Sequence, residues 1–234
     1  MALEDLVAAT TAMNDLTAEV AGKMGLIDDK VDAATASVPD VLNRIWYVNQ
    51  NTGDDANDGS IGAPFKTFAP GISKEAHGGN YKYTLQSDFT VDKIYTHNGS
   101  SVIIQSDIGP TNRKLIYAAE IDGATSHSPG FALSQGGNIQ FHDIHFRSIT
   151  LSGHVTNGGM MRALLPVYIR LWRCEFEFPA GSDLTLLGNL GYYTLYFQSV
   201  TIPAEMPGMY MEGISAGTDP RTLDAILGGN VATF

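Results

Sequence analysis

With 234 residues, 44% of them hydrophobic, the chain has enough apolar material for one good-sized core, or for one core plus a non-globular extension, and it does not read as disordered. A formal charge of −11 and the lack of any Lys/Arg-rich run argue against nucleic acid and anionic membrane as partners. The single cysteine, Cys174, excludes an intrachain disulfide framework and reads as a small buried apolar residue. Only 17% of residues are charged, and 25 Gly, 10 Tyr and 10 Phe favour short strands and turns over a helical bundle. The N-terminus carries early acids in place of a basic segment with an apolar core, and no window approaches the roughly 18 apolar residues of a membrane span. Neither a secretion signal nor membrane insertion is expected.

The first forty residues carry a heptad pattern. Leu3, Thr10, Thr17, Met24, Val31 and Val38 fall at a, and Leu6, Met13, Val20, Ile27 and Ala34 fall at d, giving an apolar or Thr seam that ends before Pro39. A period of 3.5 gives a narrow stripe that is best buried against copies of the same helix. β-Branched residues at both a and d favour three strands over two, and Lys23 at g is placed to reach Asp28 at the next e of a neighbouring parallel chain. Gly22 and Gly25 lie outside the seam, each costing about 1 kcal/mol relative to Ala.

After Pro39 the pattern changes. A β-prone run, Ile45-Trp46-Tyr47-Val48-Asn49, leads into an Asn/Asp/Gly cluster at residues 50–59 whose side chains can bond nearby backbone and lock a long irregular turn. With Asp54 as a first calcium ligand, Ala56 takes the third position and Phe65 the twelfth, where a bidentate Glu is needed, so this is not an EF-hand. Tyr47-Val48-Asn49, the cluster from Gly53 to Gly59, and Pro64-Phe65-Lys66-Thr67-Phe68 with Gly71-Ile72 resemble the start of the right-handed parallel β-helices, pectate-lyase-like in form, of bacteriophage tailspikes and tail fibres. Those proteins commonly show Tyr-Val-Asp/Asn, then Gly-x-Asp-x-Asn-Asp-Gly, then Pro-Phe-x-Thr. A coiled coil directly ahead is also an order found in many phage fibres, and the resemblance covers about residues 1–75.

Downstream, β-prone runs separated by turns occupy residues 83–91, 102–105, 115–121, 139–151, 164–178 and 192–202. Three share one spacing, apolar-x-x-apolar-x-apolar: Phe141/Ile144/Phe146, Leu171/Cys174/Phe176 and Phe197/Val200/Ile202. Stacked solenoid rungs account for the repeat, and an antiparallel sandwich is the competing architecture. The Met/Tyr-rich turn at 203–211 reads as a packing surface between subunits or a docking surface, and residues 222–227 as helical turns capping the open end.

Asp143, Glu175 and Glu177 lie in or beside the repeated runs and are the candidates for a glycosidase carboxyl pair, but sequence alone sets no separation between them. His142 and His145 form an H-x-x-H that, on a strand, puts the two rings on opposite faces and argues against a metal site. No phosphate-binding Gly loop, nucleophile elbow or zinc-type Cys/His spacing occurs, so no cofactor or metal is expected and the chain reads as a non-enzyme.

The sequence therefore predicts a mainly β protein. Residues 1–38 form the stalk of a homotrimeric coiled coil, 39–79 a linker and start of the β-helix, 80–215 a short β-solenoid and 216–234 a C-terminal cap. The resemblance implies a structural component of a virion, a tail fibre or fibre adaptor for host attachment. Its partners would be other tail or capsid proteins and a host surface glycan or protein. A capsid-decorating or collar fibre and a short polysaccharide depolymerase are the alternatives.

Overall fold

The computed structural model describes residues 2–109, 113–117, 129–148, 159–178, 184–188, 191–204, 206–208 and 210–233, and the chain divides into two units, Met1–Val41 and Leu42–Phe234. In the first unit a single helix, α1 (Leu3–Leu42), carries Glu4 and Asp5 in its first turn, where acids complement the positive helix end. Thr10, Thr11 and Thr17 turn their hydroxyls back onto the carbonyls of Leu6, Val7 and Met13 at 2.9, 3.1 and 2.8 Å. At the a positions this satisfies the polar atom of Thr10 and Thr17 within the helix. Lys23 pairs with Glu19 of its own chain at 2.7 Å. The sequence suggests a stop at Pro39, yet the helix runs on to Leu42. Proline withholds one N–H from the ladder, and here the loss falls in the last turn, where few bonds remain to be broken.

The second unit repeats a three-stroke circuit. β1 (Asn43–Val48) and a one-turn helix α2 (Ala69–Ile72) come first. Then follow β2 (Asn80–Leu85), β3 (Phe89–Val91) and β4 (Ile94–His97); β5 (Ser101–Ser106), β6 (Arg113–Tyr117) and β7 (Gly130–Leu133); and β8 (Gly137–His142), β9 (Ile144–Ser148) and β10 (Met161–Ala163). β11 (Val167–Trp172) and β12 (Glu175–Glu177) are followed by a bridge at Leu187, β13 (Tyr193–Gln198) by bridges at Thr201 and Met211, and β14 (Ile226–Gly229) comes last. First strokes assemble a seven-stranded sheet in the order β1-β2-β5-β8-β11-β13-β14, second strokes a sheet β12-β9-β6-β3, and third strokes a sheet β10-β7-β4. Every ladder between these strands is parallel, which rules out the antiparallel sandwich.

Register turns the strands into columns. Trp46, Tyr83, Ile104, Phe141 and Leu171 lie side by side on successive strands and point inward, none more than 2% exposed. The apolar-x-x-apolar-x-apolar spacing is the corner between the first and second sheets. Its second spacer is Asp143, Arg173 or Ser199, with φ of 57, 51 and 53°, a left-handed kink that re-aims the strand; the apolar residues on both sides stay buried in the first two repeats, whereas in the third Phe197 and Val200 are half-buried and Ile202 is exposed. The 115–121 and 139–151 runs are strand up to Tyr117 and Ser148, and their remainders lie outside the described residues. β4, β7 and β10, with three or four residues each, give too short an alternation to be read from sequence.

The Asn/Asp/Gly cluster is built as a turn. Asn49 Oδ1 accepts from the Asn51 and Thr52 amides, both at 3.1 Å, Asp54 from Ala56 at 2.9 Å, and the Asp55 carboxylate from the Thr67 amide and hydroxyl at 2.7 and 2.8 Å. Gly59 has φ +80°, and a Cβ there would come within 2.5 Å of the Phe65 ring. The loop thereby delivers Phe65 and Phe68 into the core, where Phe68 meets Tyr83, Phe89, Tyr95 and Phe131 edge-on at 4.7–5.4 Å.

At the far end two expectations are corrected. Met206, Tyr210 and Met211 of the Met/Tyr-rich turn are buried in the chain's own core, with Tyr210 stacked on Phe197 at 6.1 Å, so they present no docking surface. In place of helical turns over 222–227, a 3-10 turn at Pro220–Thr222, capped by Asp219, hands the chain to β14, which adds a further strand to the first sheet. An added strand satisfies backbone groups of β13 that a helical cap would leave open.

One buried polar network escaped the sequence reading. The Glu75 carboxylate, 1% exposed, accepts from Tyr83 Oη at 2.6 Å and Ser100 Oγ at 3.0 Å and meets His97 Nδ1 at 2.8 Å. Burial, then the neighbouring Glu75, push the Tyr83 phenol well above its ordinary range, which keeps it a donor. Truncating the carboxylate strands three buried groups at once. Glu75→Ala is expected to cost about 3–5 kcal/mol, read as a lower urea midpoint at unchanged slope.

Candidate functional site

The alternation that fills the core inward also fixes what the seven-stranded sheet shows outward. Register places Asn43, Asn80, Ser101, Asn138, Tyr168 and Thr194 in one outer column, Ile45, Lys82, Ile103, Gln140, Arg170 and Tyr196 in a second, and Tyr47, Thr84, Gln105, His142, Trp172 and Gln198 in a third. None of the seven strands contains Asp or Glu. The face is therefore made of amides, hydroxyls, aromatic rings, two isoleucines and a few cations.

Its best-defined part surrounds Trp172. The Arg173 guanidinium lies over the ring at 4.0 Å, His142 meets it edge-on at 4.9 Å and 86°, and Arg170 stands 5.9 Å from its centroid. Arg173 is itself held by Asp143, Nε to Oδ1 and Nη2 to Oδ2 both at 2.7 Å. The left-handed corner thus staples two circuits and fixes the indole at the same time. Arg170 donates to Gln198 Oε1 on the next strand, while its Nε is buried without an acceptor. Tyr196, paired in register with Arg170, is 42% exposed beside this cluster. A half-buried, pinned ring flanked by amides is a stacking platform that loses little side-chain freedom when a flat ligand lies on it.

The candidate carboxyl residues do not converge. Asp143 faces Arg173 at the corner, whereas Glu175 and Glu177 stand on the outer face of the second sheet, paired with His145 at 3.9 and 3.4 Å, and Glu177 also with Lys114 at 3.5 Å and Arg147 at 3.4 Å. Burial lowers the His145 pKa, so the ion pairs of this surface pattern are those of Glu177 with Lys114 and Arg147. His142 and His145 are separated because the corner at Asp143 puts them on two different sheets, a stronger reason than alternation along one strand. Among the described residues no group of three or more His, Cys, Asp or Glu side chains is placed to hold a metal. The Cys174 thiol is buried and donates to the Phe141 carbonyl at 3.3 Å, and burial pushes its pKa to about 12.

The eleven seam residues, Leu3, Leu6, Thr10, Met13, Thr17, Val20, Met24, Ile27, Val31, Ala34 and Val38, all lie on α1 and are all exposed. Extension of the helix past Pro39 adds Val41, 46% exposed, at the next d position, which the sequence reading left out. No helix among the described residues is long and apolar enough to cross a membrane. No family model, curated protein or solved structure matches the chain.

The sheet face itself was open to a sequence reading. Asn138-x-Gln140-x-His142, Tyr168-x-Arg170-x-Trp172 and Thr194-x-Tyr196-x-Gln198 alternate with apolar residues at period two, although only the register shows that they line up. Burial first, then Arg170, lower the His142 pKa to about 4. The ring is thus neutral near pH 7. Its contribution to stability is complete above the ordinary 6.5 and is lost as pH falls toward 4. An NMR titration of the His142 imidazole is expected to show a midpoint near 4 in the folded chain.

Proposed function

We propose that the chain is one of three identical subunits of a virion fibre, a tail fibre or fibre adaptor, that attaches the particle to its host. In this reading three copies of α1 wind into a parallel coiled-coil stalk, the circuits of parallel strands are a short β-helix, and the outer sheet face makes contact with the host surface. The observation that carries it is the exposed heptad seam on α1: Leu3, Met13, Met24 and Ile27 are 59–79% exposed at a period that fits self-association. The parallel sheets behind a turn-rich lead-in are in keeping with the resemblance to phage tailspikes and fibres. Three weak sites on one rigid body, repeated over several fibres, give strong attachment without a strong single site.

Light scattering coupled to size exclusion tests the assembly. The full chain is expected at three times its 25.1 kDa mass, and removal of residues 2–38 is expected to weaken or abolish the trimer. Met24→Asp with Ile27→Asp, which puts charges into the seam at several kcal/mol per chain, is expected to give monomers. A full-length monomer would remove the fibre reading. Imaging of labelled particles then separates a place on the tail from one on the collar or capsid.

A further inference from the structure

Resting on the adhesive reading above, we propose that the outer face of the seven-stranded sheet binds a linear glycan carrying carboxylates, with Arg170 as its anion anchor and Trp172 and Tyr196 as stacking platforms. The chain has 25 Asp and Glu against 14 Lys and Arg, yet no acid lies on any of the seven strands, while Lys82 and Arg170 stand in their outer columns. The Asp143 carboxylate at the edge of the Trp172 cluster is taken up by Arg173. In an acidic molecule such a face is the place where a polyanion meets least repulsion.

Arg170 supplies the second support. Among the described residues it makes no ion pair. Its hydrogen-bond partner there is the Gln198 amide. A guanidinium that no carboxylate of the described residues takes up is left to pair with one from a ligand. Lys82, also without an ion pair among the described residues, stands in the same column three strands away, about 14 Å at the usual spacing of strands. Ile103 and Gln140 lie between the two cations. A polymer running across the strands would present one charge to each.

The aromatic rings are set among Asn138, Gln140 and Gln198 and are not gathered into an apolar patch, an arrangement that suits sugar rings with their C–H faces and hydroxyl edges. Nucleic acid fits less well. Two basic residues in the outer columns offer few phosphate contacts, and the chain as a whole carries −11.

The test is binding of the full-length chain to immobilised polygalacturonate, hyaluronate and polysialate, with dextran, galactan and mannan as neutral counterparts. At least one acidic polymer is expected to bind roughly tenfold more tightly than every neutral one and to weaken as salt rises from about 0.05 to 0.5 M. Arg170→Gln and Trp172→Ala, checked for unchanged melting, are each expected to lose roughly tenfold, with Arg170→Lys recovering part of the loss. Arg147→Gln, the same charge change on the second sheet, is expected to leave binding unchanged. Equal binding of neutral and acidic polymers, acidic binding indifferent to Arg170, or no binding to any of the six would overturn the proposal. The trimer measurement stands apart from all three outcomes, so the fibre reading fails or survives separately.

Discussion

The β unit depends on one constraint: each strand finds backbone partners only in the circuits before and after it. A single circuit has no sheet of its own, since its three strokes belong to three different sheets. Only in-register parallel stacking satisfies the N–H and C=O groups, and the stacking that does so also brings like side chains together in columns. Inward, the column from Trp46 to Leu171 becomes core. The corner follows from the same demand. Turning between sheets without losing register needs a residue that accepts a left-handed conformation, and Asp143, Arg173 and Ser199 fill that place on successive circuits.

Stacking has an open beginning and an open end, and the two ends are handled differently. At the start, the Asx-bonded turn at residues 49–59 leads to Phe65 and Phe68, which are buried against the first strands. The Glu75 carboxylate, bonded to Tyr83, His97 and Ser100, ties that segment to strands of two sheets. Burying a carboxylate is costly, and three partners offset the cost only while all are present. At the other end the covering is apolar, with Met206, Tyr210 and Met211 packed inward and β14 closing part of the first sheet.

Outward, the same register produces a surface that no single strand specifies. Arg170, Trp172 and His142 acquire neighbours from other circuits, and Asp143 fixes Arg173 over the indole from 30 residues away. Structure and proposed adhesion thus share one device: the corner that holds the circuits together also holds the ring that would meet a ligand. α1 obeys a different rule. Its backbone is satisfied internally, and its exposed seam is left for partners outside the chain in the fibre reading.

Sequence by itself determined what depends on near neighbours. The helix and its heptad phase follow from residue spacing along α1, the 49–59 turn from Asn and Asp bonding their own backbone, and the inward places of Phe141, Ile144, Phe146, Leu171, Cys174 and Phe176 from a repeated period. Parallel pairing, the third sheet, the Glu75 network and the Arg170–Trp172 face were decided only by tertiary structure. Each joins residues from different circuits, and register, which is set by the fit of all columns at once, is a property that no local window contains. The same limit explains why His142 and His145 part company at Asp143, and why Met206, Tyr210 and Met211, which in sequence read as a surface for partners, pack into the chain's own core.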